Sequence, residues 1–214
     1  MPIQKRDLIP LAIVLCSWLI ALLSYSSLPA LVPTSWDAAG NVTHVGPKAI
    51  HAFLYPGIIL LLYLLLQYLP VLDPRPKSII RFPHLFGMKL ALLSFFLALH
   101  LLFLNSVHGL FPVPMSVAIP ALIAVLLFYI GAIIKEVKRN FFIGIRTPWT
   151  LSSDQVWEKT HRAGSITLRI NALAFLLVIP YPGYFLAIIL LPTLANVLFL
   201  AAYSFILYRR LRRR

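Results

Sequence analysis

Histidine and carboxylate side chains are the groups of this chain that could bind a metal ion, sense protons or catalyse a reaction. His44, His51, His100 and His108 all fall in the outer half of the topology derived below, together with Asp37. Imidazole and carboxylate groups are common zinc ligands, and imidazole titrates near neutral pH. No HxxxH or HExxH spacing is present, so the sequence predicts neither a metal site nor a cofactor.

Catalysis inside a membrane would require other patterns. A GxSxG motif, paired aspartates within an apolar segment and an HExxH helix are all missing from the sequence. We therefore expect a protein that is not an enzyme.

The most polar part of the chain is residues 135–164, which lie between two long apolar runs. This segment holds three of the six acidic residues and six of the nineteen basic residues. Ser152 and Gln155 have capping-box spacing, which predicts a short helix that ends near Gly164 and lies on the membrane surface with Trp157 embedded. An ordered segment with these charges and aromatic rings is typical of a contact or switch region for a partner. The candidate residues are Arg146, Thr147, Pro148, Trp149, Trp157, Lys159, His161 and Arg162.

A second informative segment is the predicted outer loop, residues 29–50. Its proline and glycine residues favour an ordered path, Asp37 can accept hydrogen bonds from nearby amides, and Trp36 can anchor at the membrane interface. Two interpretations stay open: an ordered cap over the helix ends, or a surface that senses a ligand or peptide. The candidate residues for the second interpretation are Pro33, Trp36, Asp37, Gly40 and Lys48.

The elements that must position these loops are membrane helices. Only 12% of residues are charged and mean hydropathy is +0.89, whereas soluble proteins have about 25% charged residues. Apolar runs of this length predict an all-α bundle of six transmembrane helices, because lipid leaves backbone polar groups no other easy partners. The runs cover roughly residues 8–28, 51–72, 88–107, 116–134, 165–180 and 184–208.

The distribution of positive charge predicts the orientation of this bundle. With six crossings, both termini and the loops at 73–87 and 135–164 share one side. Together with Lys89 and Arg169, which lie just inside their helices at that side, these regions hold 18 of the 19 Lys and Arg residues. Lys48 is the exception. Because Lys and Arg concentrate on the cytoplasmic side, both termini are predicted to be cytoplasmic. The same asymmetry explains the net charge of +13 without nucleic-acid binding.

Polar side chains inside the apolar runs are a further set of candidates. Gln67, Arg169 and Asn171 fall in the inner third and are predicted to form one hydrogen-bonded layer, unless Arg169 extends to the headgroups. His100 and Asn196 lie nearer the midplane, where an interhelical hydrogen bond is the structural interpretation. The alternative is a small transporter or ion pathway lined by His100, Asn196 and Arg169. The lack of intramembrane carboxylates and of an internal repeat disfavours that alternative.

Two motifs carry a family resemblance. NFFIGIRTPWTLSSDQVWEKTHRAG, residues 140–164, closely resembles the signature of the SdpI family of bacterial membrane proteins. The outer segment LPALVPTSWDAAGNVTHVGPK, residues 28–48, resembles domain of unknown function 1648, with Ser35 where many relatives carry His. This likeness divides one compact membrane domain into residues 1–72 and residues 73–214.

The resemblance implies immunity and signalling. The founding member of the family protects its host against a secreted toxin peptide and, with toxin present, holds a cytoplasmic repressor at the membrane. By this resemblance, the outer loop of the present chain would meet a toxin or signal. Residues 135–164, which we call the inner loop, would contact a repressor. Arg146→Ala or Trp157→Ala is predicted to abolish protection or repressor capture without loss of expression.

Overall fold

The computed structural model describes residues 5–212, which form eight α-helices and one β-hairpin. The helices are α1 (Leu8–Ser24), α2 (Lys48–Leu72), α3 (Pro76–Ile80), α4 (Leu85–His108), α5 (Met115–Ile133), α6 (Pro148–Ser152), α7 (Asp154–Leu176) and α8 (Phe185–Arg212). The strands are β1 (Leu31–Trp36) and β2 (Val42–Pro47). Short 3₁₀ turns extend α1 at both ends, follow α5 and precede α8.

Five of the described helical segments are long and apolar enough to cross a membrane. They are Lys5–Ser27, Lys48–Leu72, Leu85–His108, Met115–Glu136 and Pro182–Arg212. The prediction of a helical, multi-pass membrane protein is therefore confirmed, and the ends of these five segments lie close to the predicted ones. The predicted sixth crossing falls in α7. This helix is not one of the five segments, because its first three turns are polar.

The outer loop contains the main departure from an all-α fold. β1 and β2 pair in antiparallel fashion, with Leu31 opposite Pro47 and Trp36 opposite Val42. The turn between the strands closes through the Asp37 amide, which donates to the Asn41 carbonyl at 2.9 Å. Gly40 has φ +91°, a conformation that glycine adopts at no steric cost. The predicted loop is thus a β-hairpin.

The helices form two halves. In the first, α1, α2 and α4 pack on one another around Val14, Ile59 and Leu93, and the hairpin covers their outer ends. In the second, α7 lies between α5 and α8. Close approach of α5 and α7 depends on Gly131, where a Cβ would lie 2.9 Å from Arg169 Cγ.

The two halves meet in a buried apolar cluster at the end of the bundle that the charge pattern predicts to be cytoplasmic, and we call it the inner cluster. α2, α3, α4, α5 and α7 all contribute to it. Its residues are Leu66, Leu69, Ile79, Phe82, Met88, Ile133, Val137 and Trp157.

The prediction of a short helix on the membrane surface is wrong. Residues 154–164 are the first part of α7 and continue without a break into its apolar part. Gly164 does not end this helix; a Cβ there would collide with the Ile145 side chain, so the glycine permits a close contact. The N-cap is Ser153, whose side chain accepts from the Val156 amide, rather than Ser152.

Candidate functional site

The centre of the inner loop is the stacked pair Trp157 and His161, one turn apart on α7. Trp157 is 3% exposed and His161 is fully buried, so Trp157 is not embedded in the membrane surface as predicted. The indole Nε1–H donates to the Val137 carbonyl at 2.7 Å. This bond joins the start of α7 to the end of the α5 segment.

Both ring nitrogens of His161 have defined partners. Nδ1 lies 2.8 Å from the Trp157 carbonyl, which can only accept, so Nδ1 carries the proton. Nε2 then accepts from the Ile145 amide at 2.9 Å. Burial lowers the pKa of His161 to about 4, against a smaller opposing effect of the bond to the Trp157 carbonyl. The neutral imidazole thus braces the loop against α7.

Gly144 makes this arrangement possible. It has φ +123°, and a Cβ at this position would collide with His161 Nε2. Any side chain would therefore be both strained and obstructed. Sequence reasoning did not single out this glycine.

Asn140 orders the preceding turn and was also missed. Its side chain is fully buried. Its amide nitrogen donates to the carbonyls of Lys138 and Ile143, and its oxygen accepts from the amides of Phe142 and Ile143. The amide group replaces the backbone pairing that this non-helical stretch lacks.

The segment 147–150 fastens the loop to α8. Thr147 and Thr150 form a capping box at the start of α6, with Pro148 at its first position, where a missing amide proton costs nothing. Thr147 Oγ1 lies 3.0 Å from Ser204 Oγ, and the Trp149 ring packs on Phe205 with centroids 5.0 Å apart. Thr147 and Trp149 are therefore placed to hold the inner loop against α8.

Four of the predicted inner-loop residues are exposed: Arg146, Pro148, Lys159 and Arg162. Arg146 Nη1 donates to the Phe141 carbonyl, and Arg162 pairs with Glu158 at 2.6 Å. Three of these exposed residues are cations that a partner can reach, whereas Trp157 and His161 are buried and Thr147 and Trp149 are half-buried.

Asp73 ties the inner loop to the end of α2, and sequence analysis overlooked it. The carboxylate is 3% exposed. Its two oxygens accept from the Arg75 amide at 2.6 Å and from the Phe141 amide at 2.7 Å. The first bond is a local Asp-turn contact that could be expected from sequence, whereas the second spans 68 positions.

At the opposite end, the hairpin turn and the second half enclose a small cavity of about 140 Å³, which we call the outer pocket. It is lined by Trp36, Asp37, Ala38, Met115, Ser116, Ile119, Pro120, Val178 and Phe185. The outer pocket therefore lies between the two halves. Gly40 lies against Ser116, where a Cβ would be 3.3 Å from Oγ.

Asp37 organises the turn beside this pocket. Its carboxylate accepts from the Ala39 and Asn41 amides at 2.9 Å each and from the Asn41 side chain at 3.0 Å. These bonds, the Asn41 side chain first, lower the pKa of the exposed Asp37 carboxyl. The remaining outer candidates are structural: Pro33 pairs with Val45 in the hairpin, and Lys48 Nζ donates to the carbonyls of Tyr25 and Leu28.

The outer histidines do not come together. His44 Nδ1 lies 2.9 Å from Ser35 Oγ, and His51 lies under Gly46. His108 Nε2 lies 3.4 Å from Ser27 Oγ. Between residues 5 and 212, no three His, Cys, Asp or Glu side chains group as metal ligands would.

The prediction that Gln67, Arg169 and Asn171 form one layer is wrong. Gln67 is on α2 in the first half, whereas Arg169 and Asn171 are on α7 in the second half. Gln67 Oε1 accepts from Lys89 Nζ at 2.6 Å in the first half. Lys89 also pairs with Asp7 at 3.3 Å, and both residues are buried. Sequence analysis missed this ion pair. The signal that could have indicated it was a lone Lys at the start of one apolar run and a lone Asp before another.

The other intramembrane polar groups have separate surroundings. Arg169 Nε donates to the Ser165 carbonyl at 2.9 Å, and Asn171 Nδ2 lies 3.5 Å from the Pro192 carbonyl. His100 lies 3.4 Å from Ser17 Oγ and stacks on Tyr55, within the first half. Asn196 is on α8, and no described hydrogen bond joins it to His100 or Arg169.

Comparisons with known proteins find matches for two regions of the chain. Residues 136–209 match the model of the SdpI/YfhL protein family, and residues 12–60 match a domain of unknown function, DUF1648. The chain is 24% identical over 188 residues to the immunity protein SdpI of Bacillus subtilis strain 168, which covers 88% of each chain. No solved structure matches significantly. The resemblance predicted from the two motifs is confirmed.

Proposed function

We propose, from the match of residues 136–209 to the SdpI/YfhL protein family and of residues 12–60 to DUF1648, that this multi-pass membrane protein confers immunity to a secreted peptide toxin. In this proposal the toxin binds on the outer face, and the toxin-bound protein holds a cytoplasmic repressor at the plasma membrane of a bacterium or archaeon. No enzymatic step is involved.

The topology that this function requires is six crossings with both termini in the cytoplasm. α7 supplies the sixth crossing, through residues 165–180. It packs beside α5. At the inner end Trp157 bonds to Val137, just after α5, and at the outer end Val178, just after α7, shares the outer pocket with Met115. Because α7 lies between α5 and α8, its polar side chains are shielded from lipid, which reconciles its low hydropathy with a transmembrane position.

The observation that carries the proposal is that both ends of the molecule are junctions between the same two halves. The outer pocket lies between the hairpin and the second half, and the inner cluster joins the halves below it. A peptide side chain that enters the outer pocket would change the spacing of the halves there. Since packed helices move as rigid units, the change would reach the inner loop, which α7 and Asp73 hold from either side.

The exposed cations of the inner loop are the proposed contact with the repressor. Arg146, Lys159 and Arg162 point to solvent beside the braced core, and their charges suit an acidic surface on a partner. Trp157 and His161 are buried and would act by positioning the loop.

The test is protection of toxin-sensitive cells, with membrane capture of a fluorescent repressor as a second readout. Trp36→Ala should lose both activities, whereas Arg146→Ala should lose capture and keep protection, each at normal membrane abundance. Lys77→Ala removes an exposed cation outside both regions and serves as the matched control. Trp157→Ala alone would be ambiguous, because the buried indole also stabilises the fold. Full retention of both activities by Trp36→Ala and Arg146→Ala would refute the proposal.

The transporter alternative has no comparable support. His100 contacts Ser17 and Tyr55, whereas Arg169 contacts Ser165. No described contact joins these residues to Asn196 in a common path.

A further inference from the structure

A wide cleft opens at the inner ends of α5 and α7. Its volume is about 760 Å³. Buried Val137 and Trp157 form part of its wall, and Ser78 of α3 lines another side. The cleft therefore sits on the inner cluster, where both halves contribute to it.

Positive charge exceeds negative charge around this cleft. Five basic side chains line it, against three carboxylates. The acidic members are Glu136, Asp154 and Glu158, and the basic members are Arg75, Lys135, Lys138, Arg139 and Arg162.

Each carboxylate already has a cationic or imidazole partner. Glu136 lies 3.0 Å from His84, Asp154 pairs with Arg139 at 2.7 Å and Glu158 pairs with Arg162 at 2.6 Å. The carboxylates therefore leave three lining cations without an acidic partner.

Those three cations are Lys135, Lys138 and Arg75. Both lysines are exposed, and neither side chain has a hydrogen bond or ion pair to any residue between 5 and 212. The Arg75 guanidinium lies 5.5 Å from the Phe141 ring centroid and has no carboxylate partner in that range. Three cations around one cleft, with no internal anion to neutralise them, are suited to an external anion.

The position of the cleft indicates the source of that anion. The candidate membrane segment of α5 ends at Glu136, so Lys135 and Lys138 lie at the level of the lipid headgroups. Apolar side chains are exposed near other parts of the cleft lining: Phe141, next to Arg75, is 40% exposed, and Ile80, on the same helix as Ser78, is 52% exposed. A ligand with an anionic head and an apolar body fits this arrangement better than a fully water-soluble one.

We propose that the cleft binds the phosphate of an anionic phospholipid, with Lys135, Lys138 and Arg75 donating to the phosphate oxygens and the acyl chains lying against Ile80 and Phe141. Charge-assisted hydrogen bonds of this kind are the strong ones in proteins. Because the lipid would bridge α3 and the end of α5, it would strengthen the joint between the two halves. This site is independent of the proposed immunity function.

The experiment uses the full chain in detergent micelles, to which phosphatidylglycerol or phosphatidylcholine is added. Phosphatidylglycerol should raise the thermal midpoint and remain bound in native mass spectrometry, whereas phosphatidylcholine should do neither. Lys135→Gln/Lys138→Gln should weaken phosphatidylglycerol binding by about fivefold for each lysine removed. Lys77→Gln/Arg210→Gln removes the same charge from exposed positions outside the cleft and should bind as the parent does.

Each alternative outcome overturns the proposal. Equal loss of binding in both double variants would mean that the whole basic surface attracts lipid. An equal midpoint shift with glycerol phosphate would identify a site for free phosphate. A shift with an acidic peptide and none with phosphatidylglycerol would identify a protein-docking surface. If the lysine variant loses its helical circular dichroism, Arg75→Gln is measured in its place, with the same expected result.

Discussion

The His161 imidazole lies flat against the Trp157 indole, with ring centroids 4.1 Å apart and planes at 20°. Its Nδ1 faces the carbonyl of the same Trp157, and its Nε2 faces the Ile145 amide. One neutral side chain thus links a helix and the loop that returns over it. The consequences for stability can be measured.

Replacing His161 should show how much the Nε2 acceptor contributes to the stability of the fold. His161→Leu removes the acceptor for the buried Ile145 amide, and an unsatisfied buried donor costs about 1–3 kcal/mol. His161→Gln can still accept through its amide oxygen and should recover a substantial part of this loss. The measurement is chemical or thermal unfolding in detergent. Equal destabilisation by the two variants would show that shape alone holds the loop.

Acidification should weaken the fold through the same residue. Burial lowers the pKa of His161 from 6.5 to about 4, so the unfolded chain takes up this proton more readily than the folded one. The contribution of His161 is therefore complete above its unfolded pKa of 6.5 and is lost as the pH falls towards 4. The thermal midpoint should fall between about pH 7.5 and about pH 5, and less so in His161→Gln. The same pH dependence in both proteins would assign the effect to other groups.

The packing of α5 on α7 should be sensitive to a single methyl group. At Gly131 a Cβ would lie 3.1 Å from the Arg169 amide nitrogen, and a backbone atom cannot easily move away. Gly57, on α2, has nothing within 4 Å of the same position. Both Gly→Ala changes gain similar helix propensity, so Gly131→Ala should be less stable than Gly57→Ala by about 1–3 kcal/mol. Unfolding of the two variants side by side tests this, and equal stabilities would contradict it.

Removing one member of the buried Asp7–Lys89 ion pair should destabilise the fold more than replacing both members with neutral side chains. Lys89→Met removes the cation that lies 3.3 Å from the Asp7 carboxylate, and breaking a buried pair costs about 3–5 kcal/mol. Asp7→Asn/Lys89→Met removes both charges and should be clearly more stable than Lys89→Met alone. A double-mutant cycle from unfolding midpoints gives the coupling. Additive effects of the two substitutions would mean that the pair contributes little.

Local sequence patterns predicted the features that nearby residues determine, namely the long apolar helices and the start of α7. Apolar runs located five of the long helices within a few residues, because burial in lipid demands such runs. The start of α7 was placed within one residue, since side-chain caps are local. Its end was not: Gly164 was interpreted as a helix end, whereas the glycine is there because Ile145 lies against it. Whether a glycine ends a helix or admits a neighbour depends on tertiary contacts.

Two of the remaining misses are long-range contacts. Asp7 and Lys89 are 82 positions apart, and Asp73 and Phe141 are 68 apart. No spacing rule connects residues so distant in sequence. The hairpin was missed for another reason: β1 contains a proline and β2 contains a glycine and a proline, residues that are depleted in strands.

The connection between α4 and α5 has an engineering consequence. Residues 109–114 are exposed, whereas contacts that unite the halves lie in the inner cluster and around the outer pocket. Two shorter polypeptides, divided within this stretch, would retain every helix and the whole inner cluster. The architecture is thus compatible with assembly from two separately encoded pieces, in which the inner cluster would provide the recognition that a continuous chain makes unnecessary.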